Sequence, residues 1–556
     1  MPRYFIILCI LFVILSLSPS IYELTQKPHL QPNRSFELVH NYYTDYNFYL
    51  SRIREGLEGR VTVVEKYTSE SHKGSFIQVF YLSFGWAGRM MRIPPSQAHY
   101  PYHVARIVLG FTFLWVLSLC IASIWKETLW RIIAFLVVVT ASSWPDWQSS
   151  IARGHLVGYM QWWTVVDPLL RITFIPHLLA AQLIIVGITY VLYKTDVVLK
   201  TNQWMFMGIL GLALGFIFPP GLLFLYGILF FTFILRWIFH FREKAIKRQY
   251  LHLIFGMCST ILVSLPALLY FFLFLSVNPW KRLVDFYILH PTVFSFRDYF
   301  RAVGPVLPFG IIGAICAIMR RDQKMFVFLG WILTWGVLLY ILVFFKQTSP
   351  LRITELAPQI PLGIFTVYGF SALSMIFQKK KSVVSRMIQT TAMVFLVSIC
   401  TIGILMMYGS FKAQKAFVTQ KVQATYPLVH GNNIVMYPLV SFVDAIAYLE
   451  NHTDRSSVVL SEVTAGNYIP VYSGNTVFIG QENTVNAEEK KIQVSDFFRG
   501  VMRPQDAYAW LIKEGISYVF YGPQEKEDGG GETLDKAYPF LQELYRNTYV
   551  KIYRVR

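Results

Sequence analysis

From Trp204 to His240 the chain reads WMFMGILGLALGFIFPPGLLFLYGILFFTFILRWIFH. A helix crosses a bilayer with roughly 20 apolar residues. The stretch therefore reads as two spans, 204–218 and 220–240, on either side of Pro219. Comparable runs fill 251–277 and 325–345. Composition agrees: 54% of the 556 residues are hydrophobic and only 15% charged, against about 25% charged in soluble domains. The fold class expected is an α-helical polytopic membrane protein.

Working outward, further spans fall at 4–19, 104–125, 129–147, 172–193, 304–319, 353–377 and 387–408, about eleven in all. Residues 4–19 read as a retained first span or as a cleaved signal peptide; no small-x-small cleavage site favours the second. Either choice places residue 21 onward outside. The net charge of +18 would suit a nucleic-acid partner, yet the tail from residue 409 is near neutral, with 15 Lys/Arg against 16 Asp/Glu. The excess lies between spans. Loops 126–131, 194–203, 236–249, 320–324 and 378–386 hold sixteen Lys/Arg, and the four short outer loops hold eight. That asymmetry makes the richer set cytoplasmic and no nucleic acid is expected. Residues 74–88 number only 15, too few to cross, and are expected to lie in the outer interface. Crossing there would turn Lys379–Lys381 outward.

The expected organisation is a transmembrane domain over 1–408, with a large first outer loop at 21–103, and an extracytoplasmic α/β domain over 409–556. In the tail, 458–460, 469–472, 477–479 and 518–521 read as strands, 444–450 and 506–514 as helices, and Gly529–Gly531 as a loop. All five cysteines lie in apolar stretches, so the tail has no disulfide, and no zinc spacing occurs. Walker-type, GxSxG and GxGxxG motifs are absent from the sequence, which points away from ATP-driven and serine-hydrolase chemistry.

DYNFYLSRIREGLEGR, starting at Asp45, repeats apolar residues at helical spacing and reads as an amphipathic helix soon after the first span. Asp45 stands at its start, where the helix dipole favours a carboxylate. Residue type alone leaves two readings open, an N-cap and a site carboxylate. A second cluster, EKYTSESHKG from Glu65, contains Glu70 and His72. These are either a solvated loop or groups that bind sugar or, with Asp45, a divalent metal such as Mg or Mn. A third holds Trp144, Asp146, Trp147, Arg153, His155, Trp162, Trp163, Asp167 and Arg171. Aromatic faces beside acids suit a sugar, and an interfacial aromatic belt explains the tryptophans equally well. KQTSPLR, from Lys346 to Arg352, lies between two spans. Its cations either snorkel or hold a phosphate at headgroup depth.

The layout of a first span, a large outer loop with interfacial helices and an acidic residue near its start resembles the GT-C superfamily of membrane glycosyltransferases. That superfamily includes the protein O-mannosyltransferases, the aminoarabinose transferases and the catalytic subunit of oligosaccharyltransferase. The protein O-mannosyltransferases carry an Asp-Glu pair where this chain has Asp45-Tyr46. The resemblance implies sugar transfer from a polyprenyl-phosphate donor to a hydroxyl of a glycan, lipid or protein acceptor, on the outside of a bacterial or archaeal plasma membrane. It implies Asp45 as the catalytic base and Asp146 as a second acid. Arg352, before a late span, would be the cation on the donor phosphate, with Glu70, His72, Arg171 and Lys346 as further substrate-binding candidates. The tail, with its run YSGNTVFIGQENT from Tyr472, resembles the terminal domains of bacterial GT-C proteins and would cover the site or recognise the acceptor. A lipid-linked sugar flippase and a non-catalytic scaffold are the other two functions compatible with this layout. The absence of an internal repeat and the few ionisable residues at mid-span weigh against transport.

Overall fold

The computed structural model describes residues 3–40, 42–240, 247–290, 292–345, 349–378, 383–425, 436–529 and 534–556. They form two compact units. The first comprises 1–18, 106–271 and 287–413, the second 19–105, 272–286 and 414–556. Lys379–Lys381, most of loop 241–249 and all but Gly529 of the expected 529–531 loop lie outside the described residues.

Among the described residues, seven helices are long and apolar enough to cross a membrane, the longest of these stretches running Arg386–Gln423. The bent pair Phe296–Val303 and Val306–Met319 makes eight if it is one span. Three other expected spans are shorter apolar helices, Thr128–Thr140, Thr201–Ile217 and Gln359–Met375. The span expected over 129–147 stops at Thr140, because the ASSWPDW that follows leaves the helix. On helix Lys247–Phe274, Phe255, Leu262 and Leu269 are 70, 73 and 54% exposed. Seven residues apart, they form an apolar stripe suited to hydrocarbon and costly in water. The bend between Val303 and Val306 turns on Gly304, at φ +80°, where an added Cβ would lie 1.8 Å from the Ser142 carbonyl. Only glycine permits that approach, and it seats the 296–303 helix against the loop after Thr140.

In the second unit a five-stranded sheet comprises β1 (Val458–Leu460), β2 (Thr476–Val477), β3 (Ile516–Tyr521), β4 (Leu541–Arg546) and β5 (Lys551–Val555), in the order β2-β1-β3-β5-β4. β1 pairs in parallel with β2 and β3, whereas β5 runs antiparallel to β3 and β4. Alternate residues feed opposite faces, as the pleat requires. Val459, Phe520 and Ile552 enter one core, and Leu460, Val519, Tyr521 and Tyr553 the other. The first core also takes Phe48 and Tyr67 from the outer loop. The first loop and the tail therefore share one interior and lie on the same side of any membrane the spans cross. Within that loop, 74–88 contributes the helix Val79–Met90, of 12 residues, packed on helix Tyr43–Leu57.

The expected strands β1 and β3 form as read. The strand expected at 469–472 is instead the end of a helix, Val463–Tyr472. Thr464 to Val471 are all buried there, so the helix has no polar face to show a 3.6-residue period. The strand expected at 477–479 is cut to Thr476–Val477. β4 and β5, rich in charges, were not expected from the sequence.

Candidate active site

Helix Tyr43–Leu57 is fixed from below by buried ions. Arg52, fully buried, bonds Glu65 at 2.6 Å, Glu55 at 3.3 Å, the Val64 carbonyl at 2.9 Å and Gln78 Oε1 at 3.0 Å. Arg54 bonds Glu58 at 2.9 Å, Glu450 at 2.8 Å and the Val471 carbonyl at 3.0 Å. Asn47 donates to Asn467 Oδ1 at 2.9 Å. Burial pushes the Glu55 carboxyl up to about 7 against the pull of Arg52. Taking one partner from such a buried pair costs about 3–5 kcal/mol, so the helix is held rigidly.

Asp45 stands on the exposed first turn of that helix. The N-cap is Tyr42, in extended backbone conformation. Of the two readings of Asp45, the N-cap is therefore excluded. Its carboxylate occupies the third helical position, where the dipole favours negative charge by about 0.3–1 kcal/mol. The Tyr42 phenol feels both Asp45 and Glu482: burial first, then these two charges, raise its pKa. Glu482 belongs to the tail run flagged in the sequence, and its neighbour Gln481 donates to the Thr44 carbonyl at 3.4 Å. Arg282, from the 272–286 segment, donates to the Glu482 carbonyl at 3.2 Å and pairs with Glu488 at 3.5 Å. The surroundings of Asp45 are thus drawn from the first loop and the tail, with Arg282 joined to the same tail run. Neither Glu482 nor Arg282 stands in a motif that the sequence marks as a site.

Glu70 accepts from Lys490 at 2.8 Å and from the Thr68 hydroxyl. The His72 ring makes two backbone contacts. Its Nε2 accepts from Glu65 N–H at 2.9 Å, leaving Nδ1 to donate to the Glu70 carbonyl at 2.7 Å. The only lone pair of a neutral imidazole is so engaged, and Glu70 already has two donors. His72 does not fit as a metal ligand as it stands, and no group of three or more His, Cys, Asp or Glu is arranged to hold a metal among the described residues. The edge of His72 meets Trp280, ring centroids 6.0 Å apart.

The other candidates belong to the first unit. Asp146 caps helix Trp147–Arg153, accepting from Ser149 N–H at 3.4 Å and its hydroxyl at 2.9 Å. Those bonds hold its carboxyl below the usual range, with a smaller pull from Arg301. Trp144 N–H bonds the Arg301 carbonyl at 2.9 Å. The Arg301 guanidinium lies 3.8 Å from the centre of the Tyr159 ring, whose hydroxyl donates to Asp298 at 2.5 Å. Trp147 and Trp162 are each 64% exposed beside this loop. The group of Asp298, Arg301 and Tyr159 carried no signal in the sequence beyond residue type. Arg171 binds the Val138 and Val139 carbonyls at 3.2 and 2.7 Å, closing the end of helix Thr128–Thr140. Arg352 is one-third exposed. It donates to Tyr287 Oη at 2.9 Å and grips both Glu355 oxygens at 3.1 Å. Lys346 lies outside the described residues.

No protein-family model and no curated protein matches the chain by sequence. Solved structures do. The apo oligosaccharyltransferase of Archaeoglobus fulgidus superposes with a TM-score of 0.55 at 11% identity, over 99% of this chain and 74% of that one. The chain has the GT-C fold. The archaeal oligosaccharyltransferase AglB from the same organism, in complex with an inhibitory peptide and a dolichol-phosphate, gives a TM-score of 0.53 at 11% identity, again over 99% and 74%. ArnT from Cupriavidus metallidurans gives 0.49 at 12% identity, over 98% of this chain and 97% of that one.

Proposed function

We propose that this GT-C chain is a membrane glycosyltransferase that moves a sugar from a polyprenyl-phosphate donor to an acceptor hydroxyl. One observation carries the reading: Asp45 is an exposed carboxylate on the first turn of a helix whose other faces are locked by buried ion pairs. A base must be held rigidly and still reach substrate. The dolichol-phosphate bound by the structurally similar AglB supports a lipid-phosphate donor.

In this reading the acceptor O–H gives its proton to the Asp45 carboxylate as its oxygen bonds to the anomeric carbon. The bond from that carbon to the phosphate oxygen breaks, its electron pair stays on the phosphate, and the configuration inverts. Arg352 is the group proposed to meet the donor phosphate, with Tyr287 and Glu355 orienting its guanidinium. Asp45→Asn keeps the shape and removes the base, so it should lower kcat by about 10²–10⁴-fold with donor affinity little changed. Arg352→Ala should weaken both donor binding and turnover. Transfer from a polyprenyl-phosphate sugar, assayed in detergent with both variants, tests this; full activity in Asp45→Asn would sink the mechanism.

A further inference from the structure

Three segments of the first unit are tied into one surface. Asp146 N–H bonds the Val157 carbonyl at 2.8 Å and Tyr159 N–H the Trp144 carbonyl at 2.9 Å, so 144–146 pairs with 157–159. Helix Phe296–Val303 joins them through two bonds. Trp144 N–H reaches the Arg301 carbonyl at 2.9 Å, and the Tyr159 hydroxyl donates to Asp298 at 2.5 Å. Ser295 and Asp298 cap that helix reciprocally, which fixes its first turn. Trp162 meets Phe294 with ring centroids 6.0 Å apart, and Trp163 meets Tyr299 at 6.3 Å.

On this surface Arg301 is held in place with its donors unspent. Its guanidinium lies 3.8 Å from the centre of the Tyr159 ring, and Asp298 holds that ring by its hydroxyl. The side chain is half-exposed, and its N–H groups have no acceptor among the described residues. A guanidinium presents five donors in a planar fork. Asp146 and Asp298 both feel its charge, but Asp146 is bonded to Ser149, and Asp298 to Tyr159 and Ser295. Arg297, exposed on the same helix, also acts on Tyr159. Two cations against two carboxylates leave the surface neutral in sum. Trp147 and Trp162, each 64% exposed, stand beside it.

Those groups name a class of ligand. An aromatic belt at a membrane boundary explains exposed tryptophans and leaves the unspent guanidinium unexplained. A phosphate headgroup would engage the guanidinium, but the two carboxylates beside it would repel that charge. A neutral sugar meets every feature: its C–H face is apolar and suits an indole, and its adjacent hydroxyls suit a planar fork of donors. We infer that this surface binds a neutral carbohydrate, a pyranose lying on Trp162 with neighbouring hydroxyls accepting from Arg301. Tyr159 and Asp298 are the positioning pair behind the guanidinium, and Asp146, with lone pairs beyond those Ser149 engages, accepts a hydroxyl proton. The site lies within the first unit and uses none of the residues assigned to the transfer step.

The test uses the full chain in a polyoxyethylene detergent, which carries no sugar. Maltopentaose, cellopentaose, chitopentaose and pentagalacturonate are offered in turn. Binding is read by saturation-transfer NMR, with dissociation constants from titration and the thermal midpoint in parallel. At least one neutral oligomer should receive saturation at its ring C–H protons, and pentagalacturonate should receive none. Trp162→Ala should raise the dissociation constant about fivefold, the scale of one aromatic contact, and leave the midpoint unchanged because the ring is exposed. Trp162→Phe should recover part of that loss. Arg301→Met should raise the constant about tenfold, the scale of lost charged hydrogen bonds; should it fail to fold, Trp162→Ala decides. Binding is read without turnover, so the result is independent of the role of Asp45. Silence from all three neutral oligomers, pentagalacturonate bound as well as they are, or undiminished binding in Trp162→Ala or a folded Arg301→Met would each overturn the inference.

Discussion

Glu462 and Glu525 hold protons that a solvated glutamate would release. Glu525 is almost wholly buried and accepts from Glu462 N–H at 2.8 Å and Gly522 N–H at 3.0 Å. Burial pushes its carboxyl up to about 7. Burial, and then repulsion from Glu525, takes Glu462 to about 8. Between the ordinary carboxylate range and these values the folded state binds more protons than the unfolded one, so stability rises as pH falls. The thermal midpoint of the chain should therefore increase from pH 8 toward pH 5, and Glu462→Gln should flatten that slope; a slope unchanged in the variant would assign it to other groups. The same scale shows what sequence could reveal around the candidate site. The helix that carries Asp45 was legible because an amphipathic period soon after a first span is local information. Glu482 and Arg282 were not, since they reach its neighbourhood through packing across hundreds of residues, which no spacing encodes. His72 read as a ligand by residue type, and only its two backbone contacts show how its nitrogens are used.

At the level of elements, helices Tyr43–Leu57 and Val79–Met90 cross at a pair of glycines. A Cβ on Gly85 would lie 2.1 Å from the Ile53 carbonyl, and one on Gly56 2.2 Å from the Leu82 carbonyl. The backbones touch, and a side chain at either site must push the helices apart. Gly85→Val should lower stability by about 1–3 kcal/mol and depress transfer by displacing the helix that bears Asp45. Circular dichroism melting beside the transfer assay checks this; wild-type behaviour in both would show that the crossing tolerates separation. Elements were legible where a pattern reached the surface. The spans announced themselves by hydropathy, and β1 and β3 by short β-branched and aromatic runs. Helix Val463–Tyr472 did not, because its residues are buried on nearly every side and YIPVY reads as a strand when no polar face interrupts it.

On the scale of the whole molecule, the tail shares its core with the first loop. Phe48 and Tyr67 lie in the same cluster as Phe442, Tyr468 and Ile552, and Lys66 donates to the Arg455 and Gly474 carbonyls at 3.2 and 3.0 Å. An excised 425–556 fragment should therefore melt at a lower temperature, or with less cooperativity, than the same fragment supplied with residues 21–105. Differential scanning calorimetry on both samples decides it, and equal transitions would mean that the tail needs no help. The ion pair between Arg54 and Glu450 joins residues 396 positions apart. At a synthesis rate of about 5–20 residues per second, the ribosome needs roughly 20–80 s to travel from one to the other. For that interval Arg54 has Glu58, on its own helix, as a carboxylate partner and lacks the one that anchors it to the tail. A chain cut short before Glu450 would leave that anchor unmade, so synthesis of the tail becomes the event that pins helix Tyr43–Leu57 in place.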